Sequence, residues 1–386
     1  MKIAKLSELS VEGKGFYGIA ASAVERRDDL YTYLRITDIC DDGTLNHAGL
    51  KSVDASGAVN YLLKPNDIVF ARTGGSTGRN YFYDGSDGEF VYAGFLIKFS
   101  LDPQKVNPKF IKYYCQSEQY KNWVRSFNSG STRGNINAQT FGNMEIPLPM
   151  RTQQDYLVDV LSPIENKIKV NQKINDNLLE QAQTLYKQHF PYCTEDDLPD
   201  GWRVGTVGEI IDIHDSKRIP LSGAERMKME KKIYPYYGAA SLMDFVDNYI
   251  FDGKYLLLGE DGTVIDDAGY PILQYVWGQF WVNNHAHILT GKLGYNVESL
   301  YMLFKQTPVK AIVTGAVQPK ISQANLRSVR VVIPPEQALK EYNSLVEPLF
   351  SLLRANEEEC KALAALRDTL LPKLMSGEID VSDIQL

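Results

Sequence analysis

The sequence of 386 residues has neither long apolar runs nor paired cysteines. No stretch of about 18 apolar residues occurs, so no membrane-spanning helix is predicted. Residues 1–6 hold two lysines and no apolar core of a secretory signal. The four cysteines lie far apart without a CxxC pair, which disfavours a disulfide framework and a structural zinc site. We therefore expect a cytoplasmic protein.

Several catalytic motifs are also missing. There is no GxxxxGK[ST] loop, no HExxH, no GxSxG, and no Asn-Pro-Pro-[Tyr/Phe] segment of the kind that amino-methyltransferases use on a flipped base. His285 and His287 share a face of a predicted strand, but without further evident ligands no metal site is predicted. The acidic pairs at 260–261 and 266–267 have ligands that could bind a metal, but solvated turns are the favoured interpretation. We predict a non-catalytic chain without a cofactor of its own.

Excess charge of one sign is confined to two segments. The net charge is −7, and the acidic excess lies in residues 151–197 and 336–386, whereas residues 1–150 and 198–335 are nearly neutral. Acidity therefore does not exclude nucleic acid, because neutral domains can carry local basic faces. At this length, with 44% apolar and 23% charged residues, the chain is expected to form at least two globular domains.

What the sequence does contain is an internal repeat. Shifted by 185 residues, one segment of about 55 residues lies over another without a gap, so that Ile136 falls on Ile321 and Pro149 on Pro334. Each copy passes from a loop through a short apolar strand into a helix-like pattern. Such a duplication predicts two similar halves with pseudo-two-fold symmetry.

The helix-like segments, residues 151–190 and 336–375, carry seven-residue repeats typical of a coiled coil. We predict that they pack antiparallel, with Ile164 in the apolar seam and Asn171 facing Asn356 at the centre. A buried polar pair fixes register at a cost in stability. The alternative is that both asparagines point outward, since a straight helix drifts relative to a seven-residue repeat.

Residues 1–150 and 198–335 alternate short apolar runs with turns and read as mixed, strand-rich domains. The predicted fold class is α+β, with two mixed α/β domains separated by a pair of long antiparallel helices. The boundaries are 1–150 for the first domain, 151–190 for the central helix, 198–335 for the second domain and 336–375 for the C-terminal helix.

Three loops combine small residues with cations and amides. Residues 73–78, flanked by Arg72 and Arg79, follow a predicted strand. A Rossmann phosphate-binding loop must open a helix, but the residues after 79 are predicted to form another strand, so this segment is not such a loop. Residues 129–135 and 314–320 precede the two copies of the repeat at equivalent places. Such residues suit phosphates and base edges. A plain glycine-rich turn is the alternative for residues 73–78.

The order of these elements resembles the specificity (S) subunit of Type I restriction-modification enzymes. The resemblance is carried by the repeat, by the ending at residues 370–379, and by residues 234–239, 249–253 and 258–262, which resemble a recurring target-recognition domain. It implies two target-recognition domains that each read one half of a bipartite double-stranded DNA sequence. It further implies that the helices set the spacer and bind two methyltransferase (M) subunits.

By the same resemblance, the M subunits carry S-adenosylmethionine, and restriction (R) subunits, bound through them, use ATP and Mg. Two other functions stay open from the residues alone: a duplicated scaffold that does not bind DNA, or an enzyme with a site in the Thr73–Arg79 loop.

We predict DNA contact by the following residues: Arg72, Thr73, Ser76, Thr77, Arg79, Arg125, Ser131, Thr132, Arg133, Asn135, Lys217, Arg218, Tyr237, Gln318 and Lys320.

Overall fold

A computed structural model describes residues 2–127, 134–192, 198–315 and 317–379. The chain divides into two compact units. The first comprises Met1–Lys169 with Cys360–Leu386, and the second comprises Val170–Glu359. Within the described ranges, the helices are all too short or too polar to cross a bilayer.

The first unit contains ten strands and three short helices among its described residues, followed by the long helix α4 (Arg151–His189), which continues into the second unit. The elements are β1 (Lys2–Lys5), β2 (Phe16–Tyr17), β3 (Ala23–Val24), β4 (Tyr31–Leu34), β5 (Lys51–Val53), β6 (Asp67–Ala71), β7 (Asn80–Tyr83), β8 (Phe90–Tyr92), β9 (Leu96–Ser100), α1 (Pro108–Tyr114), α2 (Glu118–Arg125), α3 (Ala138–Gly142) and β10 (Glu145–Leu148).

The second unit contains ten strands and four short α-helices among its described residues and leads into the long helix α9 (Glu336–Ser376), which ends in the first unit. Its elements are β11 (Arg203–Thr206), α5 (Val207–Ile210), β12 (Ile211–Ile213), α6 (Gly223–Met227), β13 (Tyr234–Tyr237), β14 (Leu242–Val246), β15 (Phe251–Asp252), β16 (Tyr255–Gly259), β17 (Leu273–Val276), β18 (Gln279–Val282), β19 (Ala286–Gly291), α7 (Val297–Phe304), α8 (Gln323–Ser328) and β20 (Arg330–Ile333).

The two units share one plan. Each has an antiparallel two-stranded ladder, β1-β10 or β11-β20, whose second strand enters a long helix. Each has a four-stranded sheet in the same order, β2-β9-β6-β7 or β12-β19-β16-β17, and a second four-stranded sheet. The shift of 185 residues lays α3 on α8 and β10 on β20. The predicted duplication and the α+β fold class are thereby confirmed.

The long helices complete the hydrophobic core of each unit. In the first unit, Leu157 of α4 and Leu371 of α9 belong to one buried cluster, and Ile164 is half-buried. In the second, Ala182 of α4 packs with α9, and its carbonyl accepts a hydrogen bond from the Tyr342 hydroxyl at 3.1 Å. The start of α4 therefore packs against the end of α9, and the end of α4 against the start of α9, which confirms the antiparallel pairing.

The middle of the helix pair in the second unit is polar, but its partners differ from the prediction. Asn171 Nδ2 donates to Glu359 Oε2 at 2.7 Å, and Asn171 Oδ1 is buried without a partner among the described residues. Asn356 Nδ2 donates instead to Asn175 Oδ1 at 2.9 Å, and Asn175 Nδ2 donates to the Leu353 carbonyl at 3.3 Å. The predicted Asn171–Asn356 pair is wrong, because the axial register places Asn175, one turn further along α4, opposite Asn356.

A charged cluster fastens α9 to the second unit's sheet. Glu298 of α7 is fully buried, and its Oε1 accepts from Lys254 at 2.7 Å, the Tyr275 hydroxyl at 2.7 Å and Arg354 of α9 at 3.2 Å. Arg354 and Lys254 also pair with Glu347 of α9. A buried carboxylate is stable only with such partners. The cluster therefore holds the second unit's sheet and α7 against α9.

We expect removal of one member of the Asn175–Asn356 pair to cost more than removal of both. Asn356→Leu leaves the buried Asn175 Oδ1 without its donor, at a cost of about 1–3 kcal/mol, whereas the double leucine variant should be nearly neutral. Thermal unfolding midpoints of the full chain test this, with Asn177→Leu on the exposed face as the control. Equal losses in the single and double variants would contradict it.

Candidate nucleic-acid interface

In the first unit, two predicted loops come together at the end of β6. The Arg72 carbonyl, directly after the strand, accepts a hydrogen bond from Ile136 N at 2.9 Å. The next residue, Thr73, forms an isolated antiparallel bridge with Asn135. The loop at 72–79 and the described end of the loop at 129–135 therefore form one continuous surface.

The loop at 72–79 is held in shape by its small residues. Ser76 is buried, and Thr77 Oγ1 donates to the carbonyls of Gly74, at 2.8 Å, and Gly134, at 3.0 Å. Gly78 has φ +86°, and a Cβ there would lie 2.4 Å from the Val124 side chain. A larger residue than glycine at this position would displace α2, so the sharp return of the loop into β7 depends on it.

Arg72 presents an uncompensated positive charge on this surface. Its guanidinium lies 5.0 Å from the Tyr17 ring centroid and makes long hydrogen bonds of 3.4 and 3.5 Å to Asn135 Oδ1. The Tyr17 hydroxyl accepts from Ala138 N at 3.1 Å, which fixes the ring under the guanidinium. Within the described ranges, Arg72 forms no ion pair. A stacked, planar guanidinium with free donors suits a phosphate or a guanine edge.

Two other predicted cations of the first unit, Arg79 and Arg125, have protein partners. Arg79 pairs with Asp41 at 2.7 Å and donates to the Ile39 carbonyl at 3.1 Å. Arg125 is exposed and contacts Glu118 and Asn122 on its own helix. Arg79 is therefore held against the protein, whereas Arg125 lies on the exposed face of α2. Three further predicted residues lie outside the described residues, namely Ser131, Thr132 and Arg133.

The second unit builds the same backbone junction. Ile321 N donates to the Glu260 carbonyl at 2.8 Å, as Ile136 N does to the carbonyl of Arg72. Glu260 follows β16 just as Arg72 follows β6, so the two residues occupy equivalent places. The interpretation of residues 260–261 as a plain solvated turn missed this position. The repeat contained the signal, because Ile136 and Ile321 coincide when it is shifted.

Side chains at this second junction differ from those of the first. Asp261 forms a bridge with Lys320, which takes the place of Asn135, and Lys320 Nζ lies 3.2 Å from Glu260 Oε1. Gln318 is exposed on the same loop. Gly315 has φ +86°, and a Cβ there would lie 2.2 Å from the Gln318 carbonyl oxygen, so only glycine permits this turn.

The remaining predicted residues of the second unit divide by exposure. Lys217 is exposed in a short 3-10 turn, Asp215–Lys217. Arg218 is largely covered, and it pairs with Glu260 at 2.5 Å and with Asp215 at 3.4 Å. Tyr237 is half-buried, and its ring centroid lies 5.9 Å from that of Phe280. Lys217 is therefore open to solvent, whereas the environments of Arg218 and Tyr237 favour structural roles.

Asp215, Glu260 and His287 lie close enough to suggest a metal site, but their bonding does not fit one. His287 Nδ1 lies 2.6 Å from Asp215 Oδ2, and Nε2 lies 2.8 Å from the Ile321 carbonyl oxygen. Both ring nitrogens face acceptors, so neither offers the lone pair that a metal requires. Burial raises the pKa of Asp215, but the hydrogen bond and charge of His287, the hydrogen bond from Ile288 N and the charge of Arg218 together outweigh it, and the net pKa is lowered.

Comparison with known proteins identifies the family. Residues 33–180 and 199–363 match the model described as the Type I restriction modification DNA specificity domain, once in each unit of the repeat. The chain belongs to this family. It is a DNA-specificity subunit of a type I restriction-modification system, and its two specificity domains fit a bipartite DNA target.

Similar proteins include other specificity subunits. The chain is 23% identical over 308 residues to the Type I restriction enzyme MjaIX specificity subunit of Methanocaldococcus jannaschii, covering 72% of this chain and 70% of that protein. It is 30% identical over 146 residues to a putative specificity subunit, S.HindORF215P, of Haemophilus influenzae, covering 38% and 37% of the two chains. Its fold resembles the crystal structure of the type I S subunit from M. genitalium, with a TM-score of 0.55, 19% identity and coverage of 97% and 95%.

We expect Arg72→Ala to weaken recognition by the first domain selectively. Loss of a bidentate guanidinium contact to a base costs about 1–3 kcal/mol at one position, whereas loss of a phosphate contact lowers affinity uniformly and reduces the salt dependence. Binding of duplexes altered in one half-site at a time, measured at several salt concentrations, separates the two. Arg26→Ala, at an exposed arginine of the first unit that is not among the predicted contacts, is the matched control, and unchanged affinity in Arg72→Ala would exclude Arg72 from the interface.

Proposed function

We propose that the equivalent junctions at Arg72 and at Glu260 are the DNA-reading surfaces of this specificity subunit, one for each half-site. The proposal is carried by a single observation: the same backbone contact recurs in both specificity domains. It joins two loops predicted to contact DNA in the first domain, and the predicted loop Thr314–Lys320 to Glu260 in the second. Since DNA recognition needs exposed cations, amides and close backbone approach, these loops have suitable chemistry.

The two surfaces are expected to read different sequences. The first presents the Arg72 guanidinium with neutral neighbours. The second presents Lys320, whose Nζ lies 3.2 Å from Glu260 Oε1, and the exposed Gln318. A guanidinium pairs readily with guanine, whereas a glutamine amide pairs with adenine. We therefore propose an asymmetric target whose two half-sites are not copies of each other.

We further propose that α4 and α9 dock the methyltransferase subunits. Leu345 and Leu352 lie seven residues apart on α9 and Leu366 follows two heptads later, and each is nearly half exposed. On α4, Val170 and Ile174 are also exposed. Apolar side chains repeated along one helix face are typical of a surface that packs against further helices.

In the proposed complex this chain supplies specificity and the partners supply chemistry. S-adenosylmethionine would be bound by the M subunits, and ATP and Mg by R subunits that join through them, in the cytoplasm. A catalytic site in the Thr73–Arg79 loop is not favoured, because the Thr77 hydroxyl donates to two backbone carbonyls and Ser76 is buried.

Co-expression with the M subunit, followed by mapping of N6-methyladenine, tests the recognition proposal directly. The expected product is a gapped motif with two different half-sites. Methylation without a gapped motif, or no methylation in the presence of a functional M subunit, would refute it.

We expect the double variant Leu345→Ser/Leu352→Ser to bind the M subunit at least about tenfold more weakly, because interface leucines of this kind contribute on the order of 1 kcal/mol each. Both side chains are already exposed, so the fold of the isolated chain should be unaffected. Leu293→Ser, at an exposed leucine outside the helices, is the control. Equal M-subunit affinity in both variants, measured by calorimetry, would place docking elsewhere.

Inserting one heptad into both α4 and α9 is expected to lengthen the recognised spacer. A heptad adds about 10 Å, which corresponds to roughly three base pairs of B-DNA, and each half-site should be retained. Methylome mapping measures the spacer, and a variant with one heptad replaced at constant length is the control. An unchanged spacer in the insertion variant would disprove the idea that the helices act as a ruler.

A further inference from the structure

We propose that His287 is a positioning residue for the second DNA-reading surface. As a buried imidazolium, it hydrogen-bonds the Ile321 carbonyl and so holds in place the end of the loop Thr314–Lys320. The proposal rests on the proposed DNA-reading role of that loop. His287 has no exposed surface and is not proposed to contact the DNA itself.

The protonation of His287 follows from its partners. The residue lies on β19 with no exposed surface. Its Nδ1 faces the Asp215 carboxylate at 2.6 Å and its Nε2 faces the Ile321 carbonyl at 2.8 Å. A carboxylate and a peptide carbonyl can only accept, so both ring nitrogens must donate, and a ring with two N–H groups is an imidazolium.

The surrounding charges compensate this buried cation. Asp215 also accepts from Ile288 N at 3.0 Å and Gln323 Nε2 at 2.6 Å, and Glu260 Oε2 lies 3.8 Å from His287 Nδ1. The remaining charged groups of the cluster are the cations Arg218 and Lys320, which both pair with Glu260. Two carboxylates among three cations keep a charged ring stable in the interior.

The contact to Ile321 is what connects this cluster to the loop. Ile321 is the first residue after Lys320. Its N–H donates to the Glu260 carbonyl, and its own carbonyl accepts from His287. The loop itself closes through two hydrogen bonds between the backbones of Lys320 and Thr314, at 2.9 and 2.7 Å. Loss of the His287 contact therefore frees the base of the loop while its internal turn remains.

The first unit shows that the fold does not require a charge here. In the strand registers, Ala71 pairs with Leu96 and Gly259 pairs with Ala286, which places Ile97 at the position equivalent to His287. Ile97 is buried in an apolar core. The ionic cluster is thus a feature of the second unit's surface, and a role in loop position explains it better than packing alone.

Two substitutions separate loop positioning from charge and packing. Glutamine places its amide near the Nε2 position and can still donate to the Ile321 carbonyl, whereas asparagine places its amide near Nδ1 and keeps only the Asp215 contact. In complex with the M subunit, we expect His287→Asn to weaken second half-site recognition by about tenfold, the value of one lost hydrogen bond. His287→Gln should stay within about threefold of wild type, and the first half-site should be unaffected by either.

The measurement is DNA binding by the complex to duplexes altered in one half-site, with His47→Gln, an exposed histidine of the first unit, as the control. Equal losses in the two variants, wild-type behaviour in both, or a loss that extends to the first half-site would each overturn the proposal. If the wild-type complex methylates no gapped motif, the proposed function fails separately.

Selective 15N-histidine labelling provides a second readout, of the ring in the wild-type chain. The chain contains five histidines, so the ring signals can be assigned by single substitution. We expect the wild-type His287 ring to show two N–H protons that are protected from exchange with solvent. A ring with a single N–H would overturn the proposal whatever the DNA results.

Discussion

The burial of one face of each long helix against a sheet domain is the interaction on which the rest of the structure depends. In the second unit, Tyr342, Val346 and Phe350 of α9 are all but fully buried in the core that also contains Ala182 of α4. Each such side chain contributes about 1.5–3 kcal/mol by leaving water. In proteins most helical stability comes from packing of an amphipathic face, so the burial of this face stabilises the helix as well as the core.

The same packing ties the recognition loops to the helices. In each unit the chain runs from the loop junction at Ile136 or Ile321 through a one- to two-turn helix and a single strand into the long helix. The Glu298 cluster adds a second attachment in the second unit, through Arg354 of α9. Few residues therefore separate each loop that is proposed to contact DNA from its long helix.

The two units share one backbone contact at their loop junctions but differ in the side chains around it. The contact that joins the loops, from Ile136 N to the Arg72 carbonyl or from Ile321 N to the Glu260 carbonyl, uses only backbone atoms. It therefore survives any change of side chain at the junction. Around it, a stacked arginine in one unit is replaced by an ionic cluster in the other, so the surface chemistry can diverge while the fold is unchanged.

The sequence by itself determined the duplication, the α+β class, the two helices and three of the four segments that meet at the two junctions, because these follow from local periodicity and from similarity between segments. Tertiary structure alone decided that Asn356 pairs with Asn175, since a heptad pattern defines the buried face of a helix but not its axial register. It also decided that Glu260 stands where Arg72 does, that Arg218 is covered, and that His287 holds Ile321. These contacts join residues 34 to 181 positions apart, and no local pattern encodes which distant groups will meet in a low-dielectric interior.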